Sequence, residues 1–371
     1  MVSSQMAVTR RPEIELLRVV ACAGVVLLHA LLIFAPEPLY HLKSGVASPL
    51  AGVLAEALRV TTMPVFFLLA GWSAVAALRR RGVWGFLRER RRRLLVPLLS
   101  GMVLLCPFIK YIELRGGRDL APGGFRLVTP TRWTLWEFLP HFFTQVRFAT
   151  WSHLWFLVYL LVLSVLLLPV LRYLARLAPS ARVPGAGWVY LPALVLAVWL
   201  VLVRGYWPYY PTLYRDWGNL AYYGLIMLAG GGIAAWPGAE LALRRHWPGL
   251  LVLGGLGFVV VAGYGESMVG RVGVGLLAWG VAAGALGLAG RYPPAGGAWL
   301  ERLGRAALPV YVLHHLPLLL IGLVTLRSGL PWAVQVPVIW LGALAVALLT
   351  TRLLVAPWRP GRVLLGMPAV G

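Results

Sequence analysis

Arg18 and His29 stand eleven positions apart in an apolar run near the start of the chain. At about 100° per residue, eleven steps end about 20° beyond three full turns, so on a helix both side chains share one face, about 16 Å apart along the axis. A fixed cation and a base that titrates near neutrality, aligned across apolar sequence, are suited to holding an anion and moving a proton. Ionisable groups in such a setting are costly to bury and are functional candidates on that account. Two plainer readings stand beside this one: Arg18 reaching back along its stem to an aqueous interface, and His29 bonded to a neighbouring carbonyl.

Tyr311 and His314 share a helix face at i, i+3. Adjacent side chains diverge, so His314 rather than His315 is expected to face the same pocket, with a helix–helix hydrogen bond as the plainer reading of that histidine. His153 and Trp155 open another apolar run, in which residues 153–157 read His-Leu-Trp-Phe-Leu. Glu56 and Arg59, also at i, i+3, are placed to form an ion pair, with orientation of His29 by Glu56 as the alternative. Arg90 and Arg93 belong to residues 88–93, Arg-Glu-Arg-Arg-Arg-Arg. This run serves either as a topology-setting loop or as a seat for a phosphorylated molecule, whose oxygens guanidinium forks match. No metal-ligand spacing, phosphate-binding glycine loop or Ser-His-Asp order occurs, and no metal centre is expected.

The elements that carry these residues follow from composition. Of 371 residues, 60% are hydrophobic and 12% charged, with a mean hydropathy of +0.79. A soluble domain is about 45–50% apolar and about 25% charged, so an ordinary soluble enzyme is excluded. Cys22 and Cys106 both lie in apolar runs and provide no disulfide framework. Runs of about 20 apolar residues, each long enough to cross a bilayer as a helix, fall at 14–34, 50–78, 94–113, 153–171, 188–204, 219–236, 248–264, 271–290, 305–326 and 332–355. They predict an all-α integral membrane protein, a bundle of about ten transmembrane helices forming one domain over residues 1–371. The glycines at 230–232 and at 254, 255 and 257 point to close helix packing. No cleavable signal precedes the first run, which is expected to remain in the mature protein.

The formal net charge is +22, a value that elsewhere suggests nucleic acid. With both termini in the cytoplasm, 21 of the 34 Lys and Arg face inward, as the positive-inside rule requires. Most of the charge is therefore an orientation signal directed at anionic lipid, and no nucleic-acid partner is expected. The outer connections, 114–152 and 204–217, are rich in Trp, Tyr and Arg, including Trp133, Trp136, Trp151, Trp207, Pro208, Tyr209 and Tyr210. Aromatics there form either an interfacial belt or a stacking platform for a sugar ring. The 32 Arg against 2 Lys are a composition associated with GC-rich bacterial genomes.

Taken in order, these residues resemble the acyltransferase 3 family, multi-helix membrane enzymes that move acyl groups from acyl-coenzyme A to sugars outside the cytoplasmic membrane. The Arg18–His29 spacing reproduces the family's Arg, ten residues, His signature, with Glu15 where the family often has Asp. Residues 63–72, Met-Pro-Val-Phe-Phe-Leu-Leu-Ala-Gly-Trp, are similar to its Phe-Phe-x-x-Ser-Gly-Phe pattern but depart from it at Ala70 and Trp72. Arg90 and Arg93, ahead of Leu94, Leu95, Val96 and Pro97, resemble its Arg-x-x-Arg motif, with Arg91 an alternative register. His153 to Leu157, and Tyr311 with His314, also look like family motifs. Residues 207–217 and the compact size are similar to the glucan succinyltransferase branch.

The resemblance implies acyl transfer from cytoplasmic acetyl- or succinyl-coenzyme A, a co-substrate rather than a resident cofactor, to a hydroxyl of an extracytoplasmic carbohydrate or glycoconjugate. His29 would act as general base and Arg18 would hold the donor or stabilise developing charge. Arg90 and Arg93 would bind the donor phosphates, while Glu56, His153, Trp155, Tyr311 and His314 would bind substrate. The implied location is the bacterial cytoplasmic membrane. A transporter or flippase and a non-enzymatic membrane scaffold are the competing classes.

Overall fold

The computed structural model describes residues 11–121, 124–207, 209, 211–213 and 215–367. Pro208 and Tyr210, singled out above, lie outside the described residues. The chain is nearly all α-helical: α1 (Pro12–Leu32), α2 (Pro49–Arg90), a π turn (Arg91–Leu95), α3 (Val96–Leu104), α4 (Cys106–Arg115), then a small hairpin, β1 (Arg118–Ala121) and β2 (Gly124–Leu127). There follow α5 (Leu135–Thr144), α6 (Trp155–Leu166), α7 (Leu168–Arg176), α8 (Ala186–Val203), α9 (Trp217–Ala235), α10 (Pro237–Tyr264), α11 (Met268–Arg291), α12 (Ala298–Leu313), α13 (His315–Thr325), α14 (Trp332–Thr350) and α15 (Arg359–Leu364). The hairpin is antiparallel, with Arg118 opposite Leu127 and Ala121 opposite Gly124.

All ten apolar runs fall in helical segments, but the count of long apolar helices is lower. Six are long and apolar enough to cross a membrane, and eight if each of two bent pairs forms one span. The run 50–78 and the first half of the run 94–113 share the continuous stretch Pro49–Leu104, and α9 carries Asn219, Tyr222 and Tyr223, which dilute its hydropathy. Apolar side chains of α8, α10 and α14, such as Val198, Val259 and Leu341, face outward, whereas α2 and α11 are largely enclosed.

Proline sets the breaks. The α6–α7 pair bends by 63° and the α12–α13 pair by 61°, just before Pro169 and Pro317 respectively. A proline in mid-helix removes one backbone donor and clashes with the carbonyl four residues earlier, which places each break where it is seen. In α2 the helix is interrupted at Gly82, where φ is +63°, a conformation that glycine adopts without penalty. Just before it, Arg79 donates to the carbonyls of Ala175, Leu177, Ala234 and Ala235. It thereby satisfies terminal acceptors of α7 and α9.

Where α2 crosses α9, Gly71 and Gly230 allow contact between backbones. A Cβ at Gly71 would lie 1.8 Å from the Met227 carbonyl oxygen, and one at Gly230 would lie 2.0 Å from that of Leu68. This bears out close packing at part of the 230–232 run; Gly232, by contrast, faces open space. The crossing fixes α2 as the wall against which the functional residues are arranged.

Candidate functional site

A cavity of about 310 Å³ opens at the end of the bundle where α1 finishes and α2 begins. Its wall takes Val25, Leu28, His29 and Leu32 from α1, Glu56, Arg59 and Met63 from α2, and Tyr40 and His41 from the loop between them. Ser152, His153 and Trp155 come from the start of α6, and Tyr311 from the last turn of α12. Five of the nine site residues expected from sequence thus line one space, His29, Glu56, His153, Trp155 and Tyr311, while His314 is outside its wall and touches the His29 ring.

The floor is a knot of imidazoles. The ring centroid of His29 lies 5.4 Å from that of His314 and 4.6 Å from that of His315. His153 stacks on His315 at 4.6 Å. The expectation that His314 alone would join this pocket is corrected: neither ring is part of the cavity wall, and both contact His29, because the 61° break lies between them and the ideal helical divergence does not apply. His314 Nδ1 bonds the Tyr311 carbonyl at 2.7 Å, and His153 Nε2 bonds that of Val312 at 2.9 Å. Each ring is thereby left with one enclosed nitrogen that has no hydrogen-bond partner, as are Nδ1 of His29 and both nitrogens of His315. Ligand nitrogens of His29, His314 and His315 come within 4.8 Å of one another, a grouping able to hold a transition-metal ion. Their scattered spacing in the chain gives no sign of it.

A second constellation adjoins the first. His41 Nδ1 lies 2.6 Å from Glu113 Oε2, and His41 Nε2 lies 3.1 Å from Ser152 Oγ. Glu113 is fully buried and also accepts from Lys110 Nζ and from the Leu120 N–H. On the far wall, Glu56 pairs with Arg59 as expected, Nε to Oε2 at 2.6 Å. The Arg59 guanidinium lies 4.0 Å from the centroid of the Tyr209 ring, so cation and aromatic face form one surface.

Arg18 is not part of this cavity. Its Nη2 donates to Ser73 Oγ at 2.6 Å, and the cavity's lining on α1 ends at Val25. The expected polar path from Arg18 to His29 is therefore interrupted, with Cys22 and Val25 between them on the same helix face. Arg18 instead feels the charges of Arg93 and Glu89. The Arg90 guanidinium lies over the Phe86 ring at 4.8 Å, and its buried Nε has no hydrogen-bond partner. Arg93 is exposed and paired with Glu89 at 3.4 Å. These three arginines form a cationic site at the end of α2 remote from the cavity.

The family model described as an acyltransferase domain matches residues 11–352. The chain belongs to the acyltransferase 3 family. Comparison with curated proteins and with solved structures gives no match. With its long apolar helices, this membership makes the chain a multi-pass membrane protein of acyltransferase type. The serine that the acyltransferase 3 pattern places at position 70 is replaced by alanine here, and Ser73, one turn along α2, provides a hydroxyl to Arg18. The departure at Ala70 was read from the sequence; the part of Ser73, which shares a helix face with position 70, was missed. His41, Glu113 and Ser152 carried no local signal, because they meet only after three separate segments converge.

Lys43, in the loop after α1, donates to the carbonyls of Leu32, at 2.7 Å, and Ala35. These bonds cap the helix that carries His29. Partial burial and the nearby charge of Arg118 lower its ammonium pKa to about 8, against the opposing pull of Glu37. The neutral, reactive amine is thus reached at lower pH than in an ordinary lysine of pKa about 10.4. Labelling of the protein with an amine-reactive reagent, resolved by peptide mass, is expected to rise at Lys43 through about pH 8, with buried Lys110 unreactive. A midpoint near the ordinary value would show that Lys43 is solvated and detached from the helix end.

Proposed function

We propose that this protein transfers an acyl group, acetyl or succinyl, from cytoplasmic acyl-coenzyme A to a hydroxyl of an extracytoplasmic carbohydrate or glycoconjugate. The observation that carries the reading is the division of the molecule into a cationic end and a histidine-lined cavity, joined by one face of α1. In this reading ten crossings place both termini in the cytoplasm of a bacterium and the cavity on the outer side. The donor phosphates lie on Arg90 and Arg93, of which Arg93 is exposed, and Arg18 holds the donor further in. Cys22 and Val25, both buried, close the way between this donor end and the cavity, so in this reading their packing opens to let the acyl arm through.

His29 takes the proton from the acceptor hydroxyl, whose oxygen attacks the carbonyl carbon. Glu56, Arg59, Tyr209 and Trp155 offer hydrogen bonds and ring faces to a sugar, with His153, Tyr311 and His314 shaping the floor. Succinyl is the group that the likeness of residues 207–217 to the glucan succinyltransferase branch favours.

The test is the melting temperature of detergent-solubilised protein with acetyl-, succinyl- or free coenzyme A. An acyl-coenzyme A is expected to raise it, because a ligand that binds only the folded state stabilises that state, and paired substitution of Arg90 and Arg93 by Gln is expected to abolish the rise. No rise with any of the three, together with no release of free thiol, would return the protein to the transporter class.

A further inference from the structure

We propose that the acyl group is carried on Ser152, as an oxygen ester formed in the cavity before the acceptor receives it. The inference rests on the acyltransferase reading above and adds a covalent step to it. Ser152 Oγ lies 3.1 Å from His41 Nε2, and His41 Nδ1 lies 2.6 Å from Glu113 Oε2. An imidazole that donates its Nδ1–H to a carboxylate presents the Nε2 lone pair to its other partner, the tautomer that a base beside a serine requires. Such a set is recognised by geometry and not by order along the chain.

Three further features favour a nucleophile over a simple loop fastening. Glu113 is held by Lys110 and by the Leu120 N–H, so the carboxylate that orients His41 is itself fixed. The backbone of Ser152 has φ +46°, a region that non-glycine residues seldom occupy and where strain tends to mark functional positions. Ser152 also begins the turn that leads into α6, and the positive end of a helix stabilises an oxyanion forming beside it. Both Ser152 and His29 line the same cavity, so an ester on Ser152 is placed to meet an acceptor there.

The step balances without another reagent. Ser152 gives its proton to His41 Nε2 as its oxygen bonds to the thioester carbonyl carbon; the carbon–sulfur bond breaks and coenzyme A leaves as a thiolate, which takes a proton from water. A thiolate departs without prior protonation, whereas a serine alkoxide does not. The proton is therefore retained on His41, whose imidazolium faces the Glu113 carboxylate. In the second half, the acceptor hydroxyl gives its proton to His29 and bonds to the ester carbonyl carbon. The bond to the serine oxygen breaks, Ser152 recovers its proton from His41, and His29 returns the acceptor's proton to water.

The full-length protein in detergent, mixed with excess acetyl- or succinyl-coenzyme A and no acceptor, is expected to release one equivalent of thiol in a burst. Peptide mass analysis should then place one acyl group on Ser152. Ser152→Ala is expected to lose that label and to slow transfer by about 10²-fold or more. Ser152→Cys, which keeps a nucleophile, should carry the acyl group as a thioester released by neutral hydroxylamine. Label on a different residue, or Ser152→Ala transferring within a few-fold of the parent, overturns the proposal. A parent protein that consumes the donor but never carries label overturns the serine step and leaves the acyltransferase reading intact. One that neither binds nor consumes any acyl-coenzyme A overturns both.

Discussion

Replacement of His29 by alanine is expected to lower acyl transfer by about 10²- to 10⁴-fold, the range lost when a positioned general base is removed, while donor affinity stays close to that of the parent. The separation follows from the geometry. His29 Nδ1 has no hydrogen-bond partner, so the substitution leaves no enclosed group newly unpaired and removes only ring contacts to Tyr40, His314 and His315. The cationic end of α2, about 16 Å away along α1, is untouched. The turnover number should therefore fall with little change in the KM for acyl-coenzyme A, the pattern of an interaction made in the transition state. Continuous measurement of thiol release with acceptor present checks this. If the acyl group waits on Ser152, the variant should still release its first equivalent of thiol and then stall with the serine occupied. Transfer within a few-fold of the parent would remove His29 from the mechanism.

Part of this site could be read from the chain because its residues are related by helical spacing. The Glu56–Arg59 pair and the shared face of Arg18 and His29 both depend on intervals shorter than one helix, where 3.6 residues per turn fixes direction. The apolar runs located the helices for the same reason that bilayers require them. What did not follow is what happens at breaks. His314 and His315 face one partner because Pro317 interrupts the helix, and the mid-run proline was the available signal. Similarly, the eight candidate spans differ from the ten apolar runs because α2 runs on into α3, merging two of them, and because polar residues weaken α9.

Convergence of distant segments was not legible at all. Residues 41, 113 and 152 lie in a loop, a helix and the start of another helix, and no periodicity joins them. A histidine in a connecting loop looks like a solvated residue until the fold encloses it. The same limit applies to the polar path: a shared face brings Arg18 and His29 into line, but side chains from α2 decide whether the space between them is open. Ser73 meets Arg18 there, which turns a presumed conduit into an anchored cation at one end and a separate cavity at the other.

Lys110→Met is expected to destabilise the protein by about 3–5 kcal/mol, the loss typical when one member of a buried ion pair is removed and its partner stays charged. Lys110 and Glu113 side chains are each 1% exposed and pair at i, i+3 on α4, with Asp119 as the lysine's second partner. Glu113 would then keep only His41 and the Leu120 N–H, and Asp119, which is 20% exposed, would turn to water. Residual fold after heating, read by size exclusion in detergent, measures the effect. Adding Glu113→Gln to Lys110→Met removes both charges and should recover much of the stability, since the two residues share one network and their effects are not additive. Activity should not recover with it, because His41 then lacks the carboxylate that fixes its tautomer. A Lys110→Met protein within about 1 kcal/mol of the parent, the range of an exposed pair, would show that water reaches Glu113 and that the carboxylate is not held for His41. A double variant that regained transfer along with stability would confine the whole network to a structural role.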